Sequence, residues 1–396
     1  MKVSRRALLR GAAGAVTLGK AAALEALQNP TDANSVASPG TVLGQRAPSE
    51  KPQRFRRPTG SSTPLQDLWG MITPSDLHFE RHHAVVPRVD PNSYTLLIHG
   101  MVERPMVFTL ADLKRFPSVS RICFLECSGN LNRTAPPETT AQQLAGLTSQ
   151  SEWTGVALST LFREAGVRRQ ATWFLAEGQD AALLARSIPV QKAYDDAMIV
   201  YAQNGEAIRP EQGYPARLLL PGWEGNSNVK WIRRIELSDG PFMTREETSK
   251  YTEPRADGKV RMFSFVMDAR SIITSPSYPA KLARGWTEIN GIAWSGYGKI
   301  TRVDVSTDDG RTWTAARLQE PVLSKAHTRF RHLWNWTGNE TIIMSRAVDE
   351  TGYVQPTRAE FIRSRGVGSV PYHLNPITGW LVRNDGTVVY REESWG

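Results

Sequence analysis

Cysteine is nearly absent from this chain. Its 396 residues hold two, Cys123 and Cys127, both within the stretch "CFLECSGN". On an extended strand a four-residue separation is about 13 Å, too far for a disulfide, and on a helix about 6 Å, where bridging is rare. The spacing also differs from that of a Cys-x-x-Cys redox pair or a Cys-x-x-Cys-His haem site, and no second pair is present to complete a zinc site. Long apolar runs are missing too. Lys20 interrupts the Ala/Gly stretch near the N-terminus after about nine residues, where a membrane-spanning helix needs about twenty. Nor is there a basic run of the kind that tracks a phosphate backbone. The net charge is +9, but residues 1–28 carry Lys2, Arg5, Arg6, Arg10 and Lys20 against Glu25, which leaves +5 for the remainder. Nucleic acid and a transmembrane anchor are therefore not expected, and no internal repeat is evident.

What is present is a chain able to build a substantial core, 40% hydrophobic and long enough for about two domains. The opening "MKVSRRALLRGAAGAVTLGKAAALEAL" pairs Arg5 with Arg6 before a weakly apolar stretch, the pattern of a bacterial twin-arginine export signal over residues 1–28. Gly11, Gly14 and Gly19 argue against an ordinary amphipathic helix there. The expected location is the periplasm, reached by a route that carries folded proteins. Residues 29–67, rich in Pro, Ser, Thr and Gly, read as an exposed linker.

Residues 68–255 read as a first, mixed α and β domain. "SYTLLIHGMV" predicts a strand and turn, "TLADLKRFP" a short helix, and "VSRICFLECSGN" a buried strand. In "ALSTLFREAGV", Leu158, Leu161, Phe162 and Ala165 form one helical face and Gly166 a C-terminal stop. "YPARLLLPGWEGNSNVKWIRRIEL" reads as two strands joined by a Gly/Asn-rich turn able to bring backbone N–H groups close to a ligand. Cys123, between Ile122 and Phe124, has the setting of a buried structural residue. Cys127 differs, because Ser128-Gly129-Asn130 is a turn signal that places its sulfur at the mouth of a sheet.

From residue 256 the pattern changes to strands and tight turns. "GKITRVDVSTDDGRTWTAARL" alternates around Asp309-Gly310, with Thr301, Val303 and Val305 on one face. Residues 256–366 are read as an immunoglobulin-like β-sandwich without the sandwich disulfide. Residues 367–396 are read as an ordered extension ending in a hairpin at Asn384-Asp385-Gly386. The overall class is α+β.

Five motifs in order, "ERHHAVVPRVD", "CSGN", "RSIP", "GYPARLLLPGWEGNSNVKW" and "GIAWSGYGKITRVDVSTDDGRTW", make residues 70–365 resemble the sulfite oxidase family of molybdenum enzymes. Within that family the likeness is to bacterial sulfite dehydrogenases and to the molybdenum subunit of sulfane dehydrogenase. The resemblance implies a molybdopterin-binding (sulfite oxidase-type) domain followed by a dimerisation domain, with molybdenum and a pyranopterin (molybdopterin) as cofactors. It implies Cys127 as the metal ligand, a soft thiolate suited to a metal held by dithiolene sulfurs. Arg81 then matches the substrate arginine, and Arg186, beside "SIP", is expected to add positive charge, guanidinium being suited to oxyanions. His83, Ser128, Arg217, Asn228 and Lys230 are expected around the pterin and its phosphate.

The chain also departs from the animal-type pattern. Gln212 and Asn228 stand where those enzymes have histidine, and Leu184 stands where they have a catalytic tyrosine. The lost hydroxyl favours a carrier-bound sulfane over free sulfite. The expected activity is oxidation of such a sulfur group, with electrons passed to a separate c-type cytochrome, and a homodimer or a heteromer with a cytochrome subunit is implied. Plain sulfite dehydrogenase, or a non-catalytic binding module on the same fold, are the alternatives.

Overall fold

The computed structural model describes residues 46–254, 257–366 and 372–392. The signal segment 1–28 and the first part of the linker lie outside the described residues. The chain divides into two units, Met1–Lys51 and Pro52–Gly396. Of the first, residues 46–51 are described; all are exposed, and they hold a turn in which Glu50 N–H donates to Ala47 O.

Two five-stranded sheets frame the first half. One runs Glu206–Ala207, Met198–Gln203, Thr148–Ala157, Val119–Glu126, with Arg217–Leu219 also paired to Met198–Gln203. The other runs Met106–Thr109, Thr95–Gly100, Ile232–Ser238, Trp173–Gly178, Ala185–Pro189. Its Ile232–Ser238 and Thr95–Gly100 strands are parallel. The two strands expected from "YPARLLLPGWEGNSNVKWIRRIEL" thus join different sheets, and the loop between them bridges the two. The predicted helix forms at Leu158–Ala165, its Leu158, Leu161, Phe162 and Ala165 fully buried, and Gly166 ends it with φ +69°.

The second half is a sandwich. A four-stranded sheet (Arg270–Ser275, Gly285–Trp294, Thr328–Trp336, Arg317–Leu318) faces a five-stranded one (Thr314–Ala315, Ile300–Ser306, Thr341–Asp349, Gly379–Val382, Val388–Tyr390). Ile272, Ile292 and Phe330 of the first sheet share a core with Val303, Ile343 and Trp380 of the second. The hairpin at Asn384-Asp385-Gly386 adds the last two strands to this sandwich. Thr301 departs from the expected face. The register shifts between Ile300 and Arg302, so Ile300 enters the core while Thr301 is exposed and donates to the carbonyls of Val348 and Asp349.

The exposed-linker reading of residues 29–67 is corrected for its described end. Phe55–Arg57 and Gly60–Ser62 pair as a hairpin, and Glu80–Arg81 adds a third strand. Ser62 and Thr63 are fully buried and Leu65 nearly so. Their polar groups are satisfied within the hairpin, where Arg57 Nε donates to Ser62 Oγ at 2.6 Å, and by distant partners: Arg57 Nη2 donates to Gln143 O at 3.0 Å, and the Thr63 and Ser149 hydroxyls bond at 2.5 Å. Polar composition signals a loop only when no such partner exists.

Burial also sets an acid limit on the fold. His78 and His327 are buried, and burial, reinforced by neighbouring arginines, pushes both pKa values down to about 3. Unfolded, each titrates near 6.5, so below that pH the unfolded chain takes up protons that the folded chain refuses. Stability therefore falls as pH drops from about 6.5 toward 3, by up to about 1.4 kcal/mol per pH unit per histidine. His373, raised by Glu224 despite burial, acts in the opposite sense, losing its contribution as pH rises through its folded pKa. The expected net result is a denaturant midpoint that declines between pH 6.5 and pH 4.5. A flat midpoint over that range would contradict the assignment.

Candidate functional site

The strand Val119–Glu126 carries both cysteines to their places. Along it successive side chains face opposite sides. Cys123 and Leu125 pack with Trp153, Val200 and Leu219, whereas Phe124 faces the sandwich core. Glu126 follows Phe124 and points the same way, which explains an acidic residue among apolar neighbours. Its carboxylate, 1% exposed, accepts from Arg270 Nη1 at 3.0 Å, Asn130 Nδ2 at 3.0 Å and Trp294 Nε1 at 2.6 Å. Arg270 and Trp294 belong to the sandwich, so the second half of the molecule grips the residue just before Cys127.

Cys127 is the first residue past the strand and turns to the other side. Its N–H donates to Leu147 O at 2.9 Å, Asn130 N–H returns to its carbonyl at 3.0 Å, and the Gly129 N–H faces its sulfur. Both cysteines are free thiols, Cys123 fully buried and Cys127 partly exposed. Burial pushes the Cys123 thiol up to about 12 and raises Cys127 as well. The bridging loop closes over this turn. Gly225 is required there, since a Cβ would stand 2.9 Å from Glu126 O and 3.4 Å from Cys127 Cα.

The Cys127 sulfur opens into a cavity lined by Arg81, His83, Arg217, Asn228 and Lys230, so five of the other expected residues converge on it. His82, Asp180, Leu184, Asn226, Trp231 and Tyr251 complete much of the wall. Three side chains are cations and one is a carboxylate. His82 and His83 are neutral at pH 7, desolvation in the cavity wall and the nearby cations pushing each down to about 4, although His83 keeps an exposed face. Such a wall favours a multiply charged anion.

The donors differ in what they have left to offer. Arg217 is 3% exposed and gives Nη1 to Gln212 O and Nη2 to Asn228 O, both at 2.9 Å. Among the described residues its buried Nε has no partner, and neither has Asn226 Oδ1. Burial draws Arg217 down to about 9, which leaves it a cation at neutral pH. Lys230 is pushed well down by burial and by Arg217, and it spends its donors on Arg81 O, Glu211 O and His82 Nδ1. His82 Nδ1 is therefore an acceptor, and its Nε2–H faces Glu80 Oε2 at 3.1 Å. Asn228 holds the loop rather than a ligand, because its amide accepts from Leu220 N and donates to Trp223 O and Glu224 O.

Two expected residues stay out of the cavity wall. Ser128 is 1% exposed, its hydroxyl accepts from Asn226 Nδ2 at 3.2 Å and its carbonyl accepts from His373 N–H. Arg186 is fully buried between two carboxylates, at 2.9 Å from Glu224 Oε1 and 2.7 Å from Glu247 Oε1. Burial would lower its pKa, but the two carboxylates raise it above the usual value. The expectation that Arg186 adds positive charge for substrate is thus corrected, since its charge is cancelled within the protein. Tyr251 was missed. It lies in the polar segment "EETSKYTEP", and only the fold brings its hydroxyl to His83 Nε2, at 2.8 Å.

Comparison with known proteins decides the family. Residues 83–246 match the oxidoreductase molybdopterin binding domain and residues 261–379 the Mo-co oxidoreductase dimerisation domain. The chain is 31% identical to sulfite oxidase of Gallus gallus over 76% of its own length and 72% of that protein. The chain belongs to the sulfite oxidase family. It is also 30% identical to an NADH nitrate reductase of Ulva prolifera, over 76% of this chain, but spans only 40% of that longer protein. Among solved structures, the sulfane dehydrogenase SoxCD from Paracoccus pantotrophus matches with a TM-score of 0.83 and 43% identity, covering 92% of this chain and 95% of that one. As a sulfite oxidase family member the protein is a molybdenum-dependent oxidoreductase that uses molybdopterin. The cavity fits that group: it offers one thiol, an unpartnered buried guanidinium N–H and a surplus of cations for a phosphorylated ligand.

Proposed function

We propose that this protein is an exported molybdenum enzyme that oxidises a reduced sulfur group, carrier-bound sulfane in the first place or sulfite, and passes the electrons to a c-type cytochrome. The observation that carries this reading is the cationic cavity at Cys127, in a chain 43% identical to a sulfane dehydrogenase over nearly its whole length. Cys127 would bind the metal as thiolate, its burial-raised proton being lost on binding. Arg217 and Asn226 would meet the pterin with their unpartnered atoms, His83 would flank it, and Lys230 would add its charge. Arg81 would face the substrate oxyanion. When bound, the cofactor supplies the two-electron redox chemistry.

Electrons must then leave the chain, because its sequence contains no Cys-x-x-Cys-His for a covalent c-type haem of the usual kind. The paired Arg5-Arg6 supports export to the periplasm. The dimerisation domain, with exposed Trp286 and Leu333 on one sheet, supports a homodimer through the sandwich or a heteromer with a cytochrome subunit.

The test compares kcat/KM for sulfite and for a sulfur-loaded carrier protein, with the same c-type cytochrome as acceptor. The expected result is a preference for the loaded carrier and no more than a single turnover when the cytochrome is withheld. A clear preference for free sulfite would make the protein a sulfite dehydrogenase.

A further inference from the structure

Among the described residues that line the cavity, Tyr251 alone carries a hydroxyl. Leu184, in the same wall, offers none, and the amide of Asn228 and the ammonium of Lys230 are already committed to protein acceptors. The Tyr251 ring is fixed from two sides. The Arg186 guanidinium lies 5.0 Å from its centroid, and the Tyr372 ring packs at 5.2 Å. Arg186 is itself fixed by Glu224 and Glu247, so the buried ion pairs set the direction in which the phenol points. At its tip the oxygen meets His83 Nε2 at 2.8 Å. His83 is neutral, and with its proton on Nε2 it donates to the phenol oxygen, leaving the phenol O–H to point at a ligand. Burial raises the phenol pKa, so this proton stays in place at neutral pH.

We propose that Tyr251 is the cavity's substrate-binding hydroxyl, donating a hydrogen bond to a sulfur-bound oxygen of the oxyanion, with His83 as the group that orients it. This rests on the reading of the protein as a sulfur-oxidising enzyme and extends it to a residue that arrives from the segment joining the two halves of the molecule. Tyr251 forms a hydrogen bond and transfers no proton. The cavity thus regains from position 251 a hydroxyl that position 184 lacks, and Leu184 alone does not argue against sulfite.

The experiment uses the holoenzyme and Tyr251→Phe, a change that keeps the ring over Arg186 and against Tyr372. Molybdenum content, kcat/KM for sulfite and the affinity of the resting enzyme for inorganic sulfate are measured on both proteins. The expected result is unchanged molybdenum, a ten- to hundredfold loss in kcat/KM, and weaker sulfate binding by about the same factor, as for loss of a hydrogen bond to a charged group. Equal kcat/KM and equal sulfate affinity in the two proteins would overturn the proposal. Loss of molybdenum in the variant would also overturn it, by assigning the hydroxyl to the cofactor. If the wild-type protein itself neither held molybdenum nor oxidised sulfur, the enzyme reading would fail, and the sulfate titration would still decide the role of Tyr251. A wild-type protein with no affinity for sulfate would refute an oxyanion-binding hydroxyl.

Discussion

Cys127→Ser is expected to abolish turnover and molybdenum retention while leaving the fold in place, and Cys123→Ser to do the reverse. The two residues lie on one strand and its exit, four apart, yet they differ in what surrounds them. Cys127 is partly exposed at the cavity and is the wall's only thiol, so a serine there removes the soft donor without opening a void. The loss should exceed the ~10–100-fold typical of removing an outer hydrogen-bond partner at a metal site. Cys123 is fully buried among Trp153, Val200 and Leu219, where a serine hydroxyl without a partner costs about 1–3 kcal/mol and should leave kcat unchanged. Rate assays, metal analysis and chemical denaturation of the two variants separate these outcomes. Wild-type turnover in Cys127→Ser would refute its assignment as the ligand.

The largest expected loss of stability comes from Arg186→Met. The side chain is fully buried, as are Glu247 and all but 1% of Glu224, and it is the cation that both carboxylates share. Removing one member of a buried ion pair costs about 3–5 kcal/mol, because the charge left behind has neither water nor a partner. Here two carboxylates are left. Among the described residues only His373, at 3.1 Å, and the Asn226 side chain remain on Glu224 and the Ser187 N–H on Glu247, none of which replaces the guanidinium charge on both. Arg186→Lys would rescue only in part, since an ammonium cannot reproduce the fork that meets both oxygens of Glu247. Combining Arg186→Met with Glu247→Gln should recover part of the loss. Denaturation of the three variants checks this, and a single variant within about 1 kcal/mol of wild type would show that Arg186 is not the centre of a buried ion network.

Which features were legible in the sequence follows from how local their causes are. The helix Leu158–Ala165 was readable because its apolar spacing and Gly166 stop lie within ten residues of each other. Cys127 was separable from Cys123 because Ser128-Gly129-Asn130 forces a turn where the strand ends. Long-range partners left no such mark. Arg186 looked like a free cation because Glu224 and Glu247 lie 38 and 61 residues away. Glu126 was visibly out of place, but its reason, Arg270, comes 144 residues later. Tyr251 and His83 are 168 residues apart, and nothing in the polar segment around Tyr251 marks it as cavity wall. The strands at 55–62 were hidden for the same reason, their polar residues being satisfied by segments more than eighty residues distant.

The central claim, that Cys127 and the cations around it hold a molybdenum cofactor, is tested most directly by metal analysis of the full protein purified from cells able to make and insert that cofactor. The account predicts about one molybdenum per chain, lost together with the pterin in Cys127→Ser. A wild-type protein that is folded under those conditions and contains no molybdenum would contradict it, and would leave a binding module on an enzyme's fold.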